Sequence, residues 1–217
     1  PVAGRRFAER AGAPSAIVTD AGGTTYDVSL VRDGTISWTR DTWLGPIYQG
    51  HLTGFPSVDV KSIGAGGGSI ASVTATGLLQ VGPQSAGSTP GPVAYGRGGT
   101  RPTVTDAAVV LGYIDPDYFL GGSMSLAVAA AREALERDVA IPLGLSVEDA
   151  ALAVIDLATE HMVNAIEDIT VKQGIDPSGT VLIAGGGAAG LNTVLIARRL
   201  GCARVIVPDV GAALSAA

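Results

Sequence analysis

Hydrophobic and polar positions in the first third of the chain follow the patterns of short β-strands, in which apolar residues come in runs or alternate with polar ones. Five segments show such a pattern: 15–20, 25–31, 35–39, 58–63 and 70–81. Asp33 and Gly34 form a dipeptide that favours a hairpin turn between two of these segments. Thr76 and Gly77 mark another turn inside the last one. The first part of the chain is therefore predicted to be rich in β-structure.

The last third of the chain changes to the spacing of amphipathic helices. Ser146, followed three residues later by Asp149, is typical of a capping box and predicts a helix that runs to about Gln173 and stops at Gly174. Its apolar face comprises Ala151, Ile155, Ala158, Met162, Ala165, Ile166 and Ile169. The polar residues on the other side are interpreted as a solvated face: Asp156, Glu160, Asn164 and Glu167.

Two shorter helices are predicted before this long one. Thr105 or Asp106 can cap a short helix that stops at Gly112, and Ser125 can cap another that runs to about Ala140. Asp106 is expected to be the helix cap or, alternatively, an acid of the functional site.

The end of the chain has the pattern of a βαβ unit. A buried strand and glycine loop at 180–187 precede a helix at 191–200, and a second strand follows at 204–208. Combined with the β-rich first part, this predicts an α/β fold with a mixed sheet.

The segment Gly82–Thr103 is so dense in glycine and proline that it is predicted to lack regular structure. It is either a linker or an ordered loop packed over a site. Because it contains Tyr95 and Arg97 and is not a charged or serine-only tract, we expect an ordered, packed loop.

Composition and charge narrow the functional classes. Hydrophobic residues make up 47% of the 217 residues and charged residues 16%, against about 25% charged residues in an average soluble domain. So few charges predict that part of the surface is covered by further chain or by a partner subunit. The net charge of −6 and pI near 4.8 offer no basic footprint for nucleic acid.

The compartment is predicted from cysteine usage and from the absence of a leader pattern. A single cysteine, Cys202, excludes an internal disulfide framework and a cysteine zinc site, which favours a cytoplasmic protein. The uncharged stretch 178–197 is long enough for a membrane helix, but its central glycines interrupt the apolar run. No membrane association is expected, and the initial Pro suggests a piece cut from a longer chain.

The loop between the first two strands is the strongest candidate for chemistry. Asp20 ends an apolar strand, Gly22 and Gly23 allow close backbone approach to an anion, and Thr24 and Thr25 add hydroxyl donors. A carboxylate beside an anion nest repels the anion unless a cation lies between them. Asp20 and the following Asp27 are therefore candidate ligands of Mg²⁺ or partners of an activated water. The alternative is a tight hairpin in which Asp20 only caps the turn.

A second glycine loop lies in the βαβ unit. Gly185, Gly187 and Gly190 form a literal G-x-G-x-x-G between a strand and a helix, and Asp209 follows the next strand. This spacing matches the dinucleotide-binding fingerprint, although a single match in a glycine-rich chain is weak evidence.

Five segments in order resemble the hydantoinase A / 5-oxoprolinase family, which includes acetone and acetophenone carboxylase subunits. They are TDAGGTTYDVSLVRDG (19–34), VDVKSIGAGGGSIA (58–71), VGPQSAGSTPGPVAYGRGG (81–99), PTVTDAAVVLG (102–112) and IAGGGAAGLNTVLIARRLG (183–201). The resemblance covers nearly the whole chain. It implies an actin-like, sugar-kinase-like ATPase fold, built from ribonuclease-H-like domains around a nucleotide cleft.

The resemblance also implies site residues, with ATP and Mg²⁺ as cofactors. Asp20–Asp27 would be the phosphate loop of the second ATPase domain. The adenosine-side loop would comprise Gly185, Gly186, Gly187 and Ala188, so the dinucleotide match would be a mimic. Longer members of the family carry another D-x-G-G-T loop in a first domain, and this chain has no second copy. Half of the cleft would then lie elsewhere. Ala21 and Thr25 stand where the family often has Met and Ser.

Seven further residues are candidates for contact with a substrate: Asp59, Lys61, Gly67, Gly68, Ser69, Arg97 and Asp106. Gly66–Ser69 can form a second anion nest. Asp59 and Lys61 share one face of a strand and so can point into one cleft, or can form a solvated ion pair. Arg97 can pair with a substrate carboxylate.

Three functions remain open at this point. The first is an ATP-dependent hydrolase of cyclic amides, such as a hydantoin or 5-oxoproline. The second is a subunit of an ATP-dependent ketone carboxylase, and the third is a non-catalytic assembly subunit. All three imply a hetero-oligomer with the missing first ATPase domain, and the first two imply a small-molecule substrate.

We expect the chain to be one domain of a longer protein, in three parts. Residues 1–81 would form the β-rich part with the phosphate loop, and 82–124 the ordered Gly/Pro-rich loop region with a short helix. Residues 125–217 would form the helical part with the βαβ loop.

Overall fold

The computed structural model describes residues 1–45 and 48–216. Its strands are β1 Ala16–Ala21, β2 Tyr26–Arg32, β3 Thr35–Ile36, β4 Trp38–Thr39, β5 Trp43–Leu44, β6 His51–Leu52, β7 Ser57–Val58, β8 Val60–Ile63, β9 Ser69–Val73, β10 Leu79–Ser85, β11 Val181–Gly185 and β12 Arg204–Ile206. Its α-helices are α1 Val2–Arg10, α2 Val104–Val110, α3 Val128–Leu135, α4 Ile141–Leu143, α5 Val147–Lys172 and α6 Ala189–Leu200.

The central sheet is mixed, as the sequence predicted. Its strand order is β12–β11–β1–β2–β3, and β8 also pairs with β2. β1 runs parallel to β11 and antiparallel to β2. The first and last parts of the chain therefore meet inside one sheet.

Alternating side chains of β1 and β2 separate two cores, one on each face of the sheet. On one face Ile17, Tyr26 and Val28 pack against α5 and α6. On the other face Val18 and Val31 pack with Ala8 of α1. All seven residues of the predicted apolar face of α5 are buried, because a helix of 26 residues covers the sheet with one half and a second core with the other.

The second core lies around the β9–β10 hairpin. Ala71 and Val81 of this hairpin pack against α2 and the first half of α5. Val104, Leu135 and Ile155 fill the space between the helices and are fully buried. This core fixes α2 beside the segment that connects β8 to β9.

Three expectations about local structure were wrong. Thr103, and not Thr105 or Asp106, caps α2. Its side chain accepts the N–H of Asp106, and the Asp106 carboxylate accepts the N–H of Thr103. Ser125 caps no helix. The N–H groups of the next two residues donate to Pro116 and Ala94, so the chain stays non-helical until Val128. The predicted strands 35–39 and 58–63 are not continuous: the first is split between β3 and β4, and the second between β7 and β8.

The segment Gly82–Thr103 contains more regular structure than predicted. β10 extends through it to Ser85, and Val93–Tyr95 forms a turn of 3₁₀-helix. Part of the segment is packed, since Ala94 is fully buried and its carbonyl accepts the Ala127 N–H. No helix in the described part of the chain is long and apolar enough to cross a membrane.

Candidate functional site

Four residues form a row across one end of the central sheet. Asp20 lies opposite Gly185 in the parallel pair and opposite Asp27 in the antiparallel pair, and Asp27 lies opposite Ser62 of β8. Residues opposite each other in a ladder project to the same face, with Cβ atoms about 4.5–5.5 Å apart in antiparallel pairs. The two carboxylates and the Ser62 hydroxyl therefore share one face. Ser62 was not a candidate from the sequence, because only the register of β2 and β8 brings it there.

The turn between β1 and β2 stands at the end of this row. Its base is rigid, since Ala21 and Tyr26 pair across the ladder and both are buried. Above that base the Gly22 N–H donates to the Thr25 carbonyl at 2.9 Å, and Gly23, Thr24 and Thr25 are exposed. Among the described residues, no protein atom accepts the N–H of Gly23 or of Thr24. Two backbone donors and two threonine hydroxyls are therefore available to an anion.

The glycine loop after β11 is joined to this turn. The Ala188 N–H donates to the Ala21 carbonyl at 2.9 Å, and the Gly186 N–H donates to the Gly211 carbonyl at 2.8 Å. Gly186 has φ +90°, and a Cβ there would lie 2.5 Å from Asp20 Oδ1 and would also meet the Ala21 carbonyl. The prediction that the two loops open on one side of the sheet is thus confirmed. α6 begins at Ala189 without a side-chain cap. The Ala189 and Leu191 N–H groups donate to the carbonyls of Gly186 and Ala188.

The expectation that Gly66–Ser69 forms a second anion nest was wrong. The N–H of Gly67 donates to the Gly22 carbonyl at 3.1 Å and that of Gly68 to the Gly23 carbonyl at 2.6 Å. The N–H of Gly66 donates to Ser69 Oγ, and that of Ser69 to the Gly66 carbonyl. All four residues are buried. All four N–H groups therefore have protein acceptors, and those of Gly67 and Gly68 hold the β1–β2 turn, so Gly67, Gly68 and Ser69 offer no backbone N–H to a ligand.

Ser85 lies beside the turn and was also missed. Its Oγ is 3.4 Å from Thr24 Oγ1 and accepts the Gly87 N–H at 3.1 Å. Ser85 is the last residue of β10, in a segment that the sequence predicted to be irregular. Its place in the site depends on the β9–β10 hairpin and has no signal in the local sequence.

Asp59 and Lys61 are held by α5 and its C-terminus. Asp59 accepts a hydrogen bond from Gln173 Nε2 at 2.8 Å, and Lys61 forms an ion pair with Asp168. The hydrogen bond from Lys61 lowers the pKa of Asp168. Asp59 and Lys61 both line one cleft of about 1200 Å³ between α5 and the strands β2–β8. Asp59 and Lys61 share a cleft as expected. They do not pair with each other, because Lys61 pairs with Asp168 of α5 and Asp59 with Gln173 just after the helix.

Asp106 is neither the helix cap nor a ligand-facing acid. Its carboxylate is fully buried and accepts hydrogen bonds from the N–H groups of Val93, Ala94 and Thr103 and from Thr103 Oγ1. Burial raises its pKa, while these hydrogen bonds oppose the shift. Asp106 therefore ties the Gly/Pro-rich segment to the start of α2. Arg97 is exposed, and its Nη2 lies 3.8 Å from Met124 Sδ.

The donor set at the row suits Mg²⁺ better than a metal held by protein alone. Within the described residues, no three or more His, Cys, Asp and Glu side chains come together at a possible metal site. Mg²⁺ usually takes one or two carboxylates and completes its shell with phosphate oxygens and water. Asp20 and Asp27, next to the available donors of the turn, meet that requirement.

The chain belongs to the hydantoinase/oxoprolinase family, whose model matches residues 1–217. The caprolactamase subunit alpha of Pseudomonas jessenii is 42% identical over 216 residues, covering 100% of this chain and 30% of that protein. The acetophenone carboxylase gamma subunit of Aromatoleum aromaticum is 42% identical over 193 residues, covering 87% of this chain and 26% of that protein. The resemblance seen in the sequence is thus confirmed.

A solved structure supports the same grouping. The crystal structure of the ATP-dependent caprolactamase from Pseudomonas jessenii matches with a TM-score of 0.90 and 42% identity, over 100% of this chain and 31% of that one. The chain thus spans less than a third of the length of these relatives. Its α/β fold is the fold of that part of the caprolactamase.

Proposed function

We propose that this chain is the nucleotide-binding part of an ATP-dependent enzyme that hydrolyses cyclic amides and activates its substrate by phosphoryl transfer. One observation carries the proposal: the turn that follows Asp20 and the loop that follows Gly185 are hydrogen-bonded to each other at one end of the sheet. That end offers donors for an anion next to two carboxylates. The ATP-dependent caprolactamase supports the substrate class, because caprolactam is a cyclic amide.

The turn residues would bind phosphate oxygens. Gly22 and Gly23 bring the backbone close to the anion, and the N–H groups of Gly23 and Thr24 would donate to it. The hydroxyls of Thr24 and Thr25 would add two more donors. In phosphoryl transfer, positioning and stabilisation of charge do most of the work. A fixed set of neutral donors in a rigid turn supplies both.

Asp20 and Asp27 would hold Mg²⁺ and orient an attacking water. A bound Mg²⁺ would neutralise phosphate charge and so allow two carboxylates beside the phosphate site. Asp20 is the better placed of the two, because Gly186 packs against its carboxylate and limits its movement. The second loop would take the adenosine side of the nucleotide with Gly185, Gly186, Gly187 and Ala188.

The fold we propose is the second domain of an actin-like ATPase. The single copy of the D-x-G-G-T pattern in this chain supports a nucleotide cleft that is completed by a first ATPase domain elsewhere. Residues 1–81 and 125–217 would contribute the two loops, and 82–124 the packed segment beside them. Further subunits would make the enzyme a hetero-oligomer.

A second candidate is a subunit of an ATP-dependent ketone carboxylase. The acetophenone carboxylase gamma subunit favours it, since its identity to this chain, 42%, equals that of the caprolactamase subunit. The nucleotide site would be the same, and the activated oxygen would belong to bicarbonate or an enolate. A non-catalytic assembly subunit is the third candidate.

Phosphate release by the full-length protein with its partner subunits tests the proposal. We expect release from ATP and Mg²⁺ that requires a cyclic amide such as a lactam, a hydantoin or 5-oxoproline. Release that instead requires a ketone and bicarbonate would select the carboxylase. Absence of turnover with every substrate, in the presence of all subunits, would select the assembly role.

A further inference from the structure

Thr105 makes two hydrogen bonds to one carbonyl outside its own helix. It lies in the first turn of α2 and is buried. Its Oγ1 and its N–H both donate to the Gly67 carbonyl, each at 2.8 Å. Thr105 therefore fixes the position and direction of the peptide group between Gly67 and Gly68.

The next link runs from that segment to the β1–β2 turn. The Gly67 N–H donates to the Gly22 carbonyl and the Gly68 N–H to the Gly23 carbonyl. In a trans peptide the C=O of one residue and the N–H of the next point in opposite directions. Holding the Gly22 carbonyl thus fixes the direction of the Gly23 N–H, and holding the Gly23 carbonyl fixes that of the Thr24 N–H. Neither the Gly23 N–H nor the Thr24 N–H has an acceptor among the described residues.

Glycine is required at two positions for this contact. A Cβ at Gly66 would lie 2.6 Å from the Gly22 carbonyl oxygen and 2.8 Å from the Thr24 nitrogen. A Cβ at Gly68 would lie 2.7 Å from the Gly23 carbonyl oxygen and 2.8 Å from Ser85 Oγ. All four distances are shorter than real Cβ contacts, so any larger residue would displace the turn.

We propose that Thr105, acting through a brace formed by Gly66–Gly68, is a positioning residue that orients the Gly23 and Thr24 N–H groups of the phosphate loop. This inference rests on the proposed nucleotide function. Thr105 itself is buried and touches no ligand. Its hydroxyl keeps the brace in place, and the brace turns two carbonyl oxygens away from the phosphate site.

Substitutions at Thr105 in the full-length protein test the proposal. Thr105→Val keeps the shape and the N–H but removes the hydroxyl, and Thr105→Ser keeps the hydroxyl. We expect Thr105→Val to raise the KM for ATP about tenfold with a smaller change in kcat, and Thr105→Ser to stay within about twofold of wild type. A folded Thr105→Val with the wild-type KM for ATP would overturn the proposal, as would equal impairment of both variants.

Gly68→Ala tests the other end of the brace, and it remains informative where Thr105→Val does not fold. Gly179→Ala is the matched control, because Gly179 has no neighbour within 4 Å of a built Cβ and no positive φ. We expect Gly68→Ala to raise the KM for ATP about tenfold and Gly179→Ala to leave it unchanged. The same KM in both variants would count against the brace.

Hydrogen exchange of the full-length protein without nucleotide separates this inference from the proposed function. The Gly67 and Gly68 N–H groups should exchange slowly in wild type and faster in Thr105→Val, while other core amides stay protected. This result would support the brace even in a protein that hydrolyses no ATP. Unchanged exchange at both glycines in Thr105→Val would overturn it whatever the ATP turnover.

Discussion

Asp20 and Asp27 lie directly opposite each other across the ladder of β1 and β2, and one end of that ladder closes in the exposed turn 22–25. Two like charges at opposed positions destabilise a strand pair. Without a cation, the two opposed carboxylates therefore destabilise the pairing of β1 and β2. A divalent cation between the carboxylates would remove this destabilisation, which is a physical reason to expect a metal there.

Gly186→Ala should destabilise the junction of the two loops. Gly186 has φ +90°, and its Cβ would meet the Ala21 carbonyl and Asp20 Oδ1. Strain and collision together should lower the free energy of unfolding by about 2 kcal/mol or more. Urea unfolding of wild type and variant measures the difference.

The control for that substitution is Gly187→Ala. Gly187 has no neighbour within 4 Å of a built Cβ and no positive φ, so its free energy of unfolding should change by about 0.5 kcal/mol or less. Equal stability of the two variants would show that a side chain fits at Gly186 and that this glycine does not pack closely against Asp20 and Ala21.

Asp106→Ala should lower the free energy of unfolding more than the loss of an ordinary helix cap does. It leaves the N–H groups of Val93, Ala94 and Thr103 buried without their acceptor, for a loss of about 3 kcal/mol or more in the free energy of unfolding. Asp149→Ala is the matched control, since Asp149 is the corresponding acid at the exposed start of α5. It should cost about 1 kcal/mol. Similar losses for both would contradict the structural role given to Asp106.

Asp168 should titrate below the ordinary range for aspartate because of Lys61. A carboxyl with a lowered pKa in the folded state stabilises the protein above its unfolded pKa, and this contribution is lost as the pH falls through the folded pKa. In Lys61→Met the pKa of Asp168 should rise toward that of an ordinary aspartate, and a carboxyl titration by NMR measures it. An unchanged pKa would show that Lys61 does not pair with Asp168 in solution.

The sequence predicted the parts of the fold that local patterns determine. The β1–β2 hairpin and α5 were predicted because alternation, a capping box and a stop glycine are all properties of neighbouring residues. The shared edge of the two loops was predicted for a related reason. Asp20 and Gly185 each lie at the carboxyl end of an apolar strand, and parallel strands present these ends on one side of a sheet.

The sequence did not predict contacts between backbone groups that are far apart along the chain. Gly66–Gly68 holds Gly22 and Gly23 through carbonyl and amide groups that every residue has, so its composition suggested a nest equally well. Ser62 and Ser85 reach the site through strand register. The cap of α2 was misassigned because Thr103, Thr105 and Asp106 are all good capping residues, and only tertiary packing selects among them.

Asp20→Asn in the full-length enzyme tests the chemistry of the site. The substitution keeps the shape and an acceptor but removes the charge. If the carboxylate holds Mg²⁺ or orients water, ATP turnover should fall by roughly 100-fold or more, since metal positioning and proton transfer each contribute that much. Stability should stay within about 1 kcal/mol of wild type, because Asn has nearly the same shape as Asp and Asp20 is only half-buried in its strand. ATP turnover and thermal unfolding are the two measurements.

Asp33→Asn is the matched control for this last substitution. Asp33 lies in the hairpin turn after β2, at φ 49°, and its side chain is 82% exposed. It should lose neither turnover nor stability, because asparagine tolerates this backbone conformation. Full turnover in Asp20→Asn would show that the Asp20 carboxylate has no catalytic role. A variant that does not fold would transfer the test to Asp27→Asn, for which the same loss of turnover is expected because Asp27 supplies the other carboxylate of the pair.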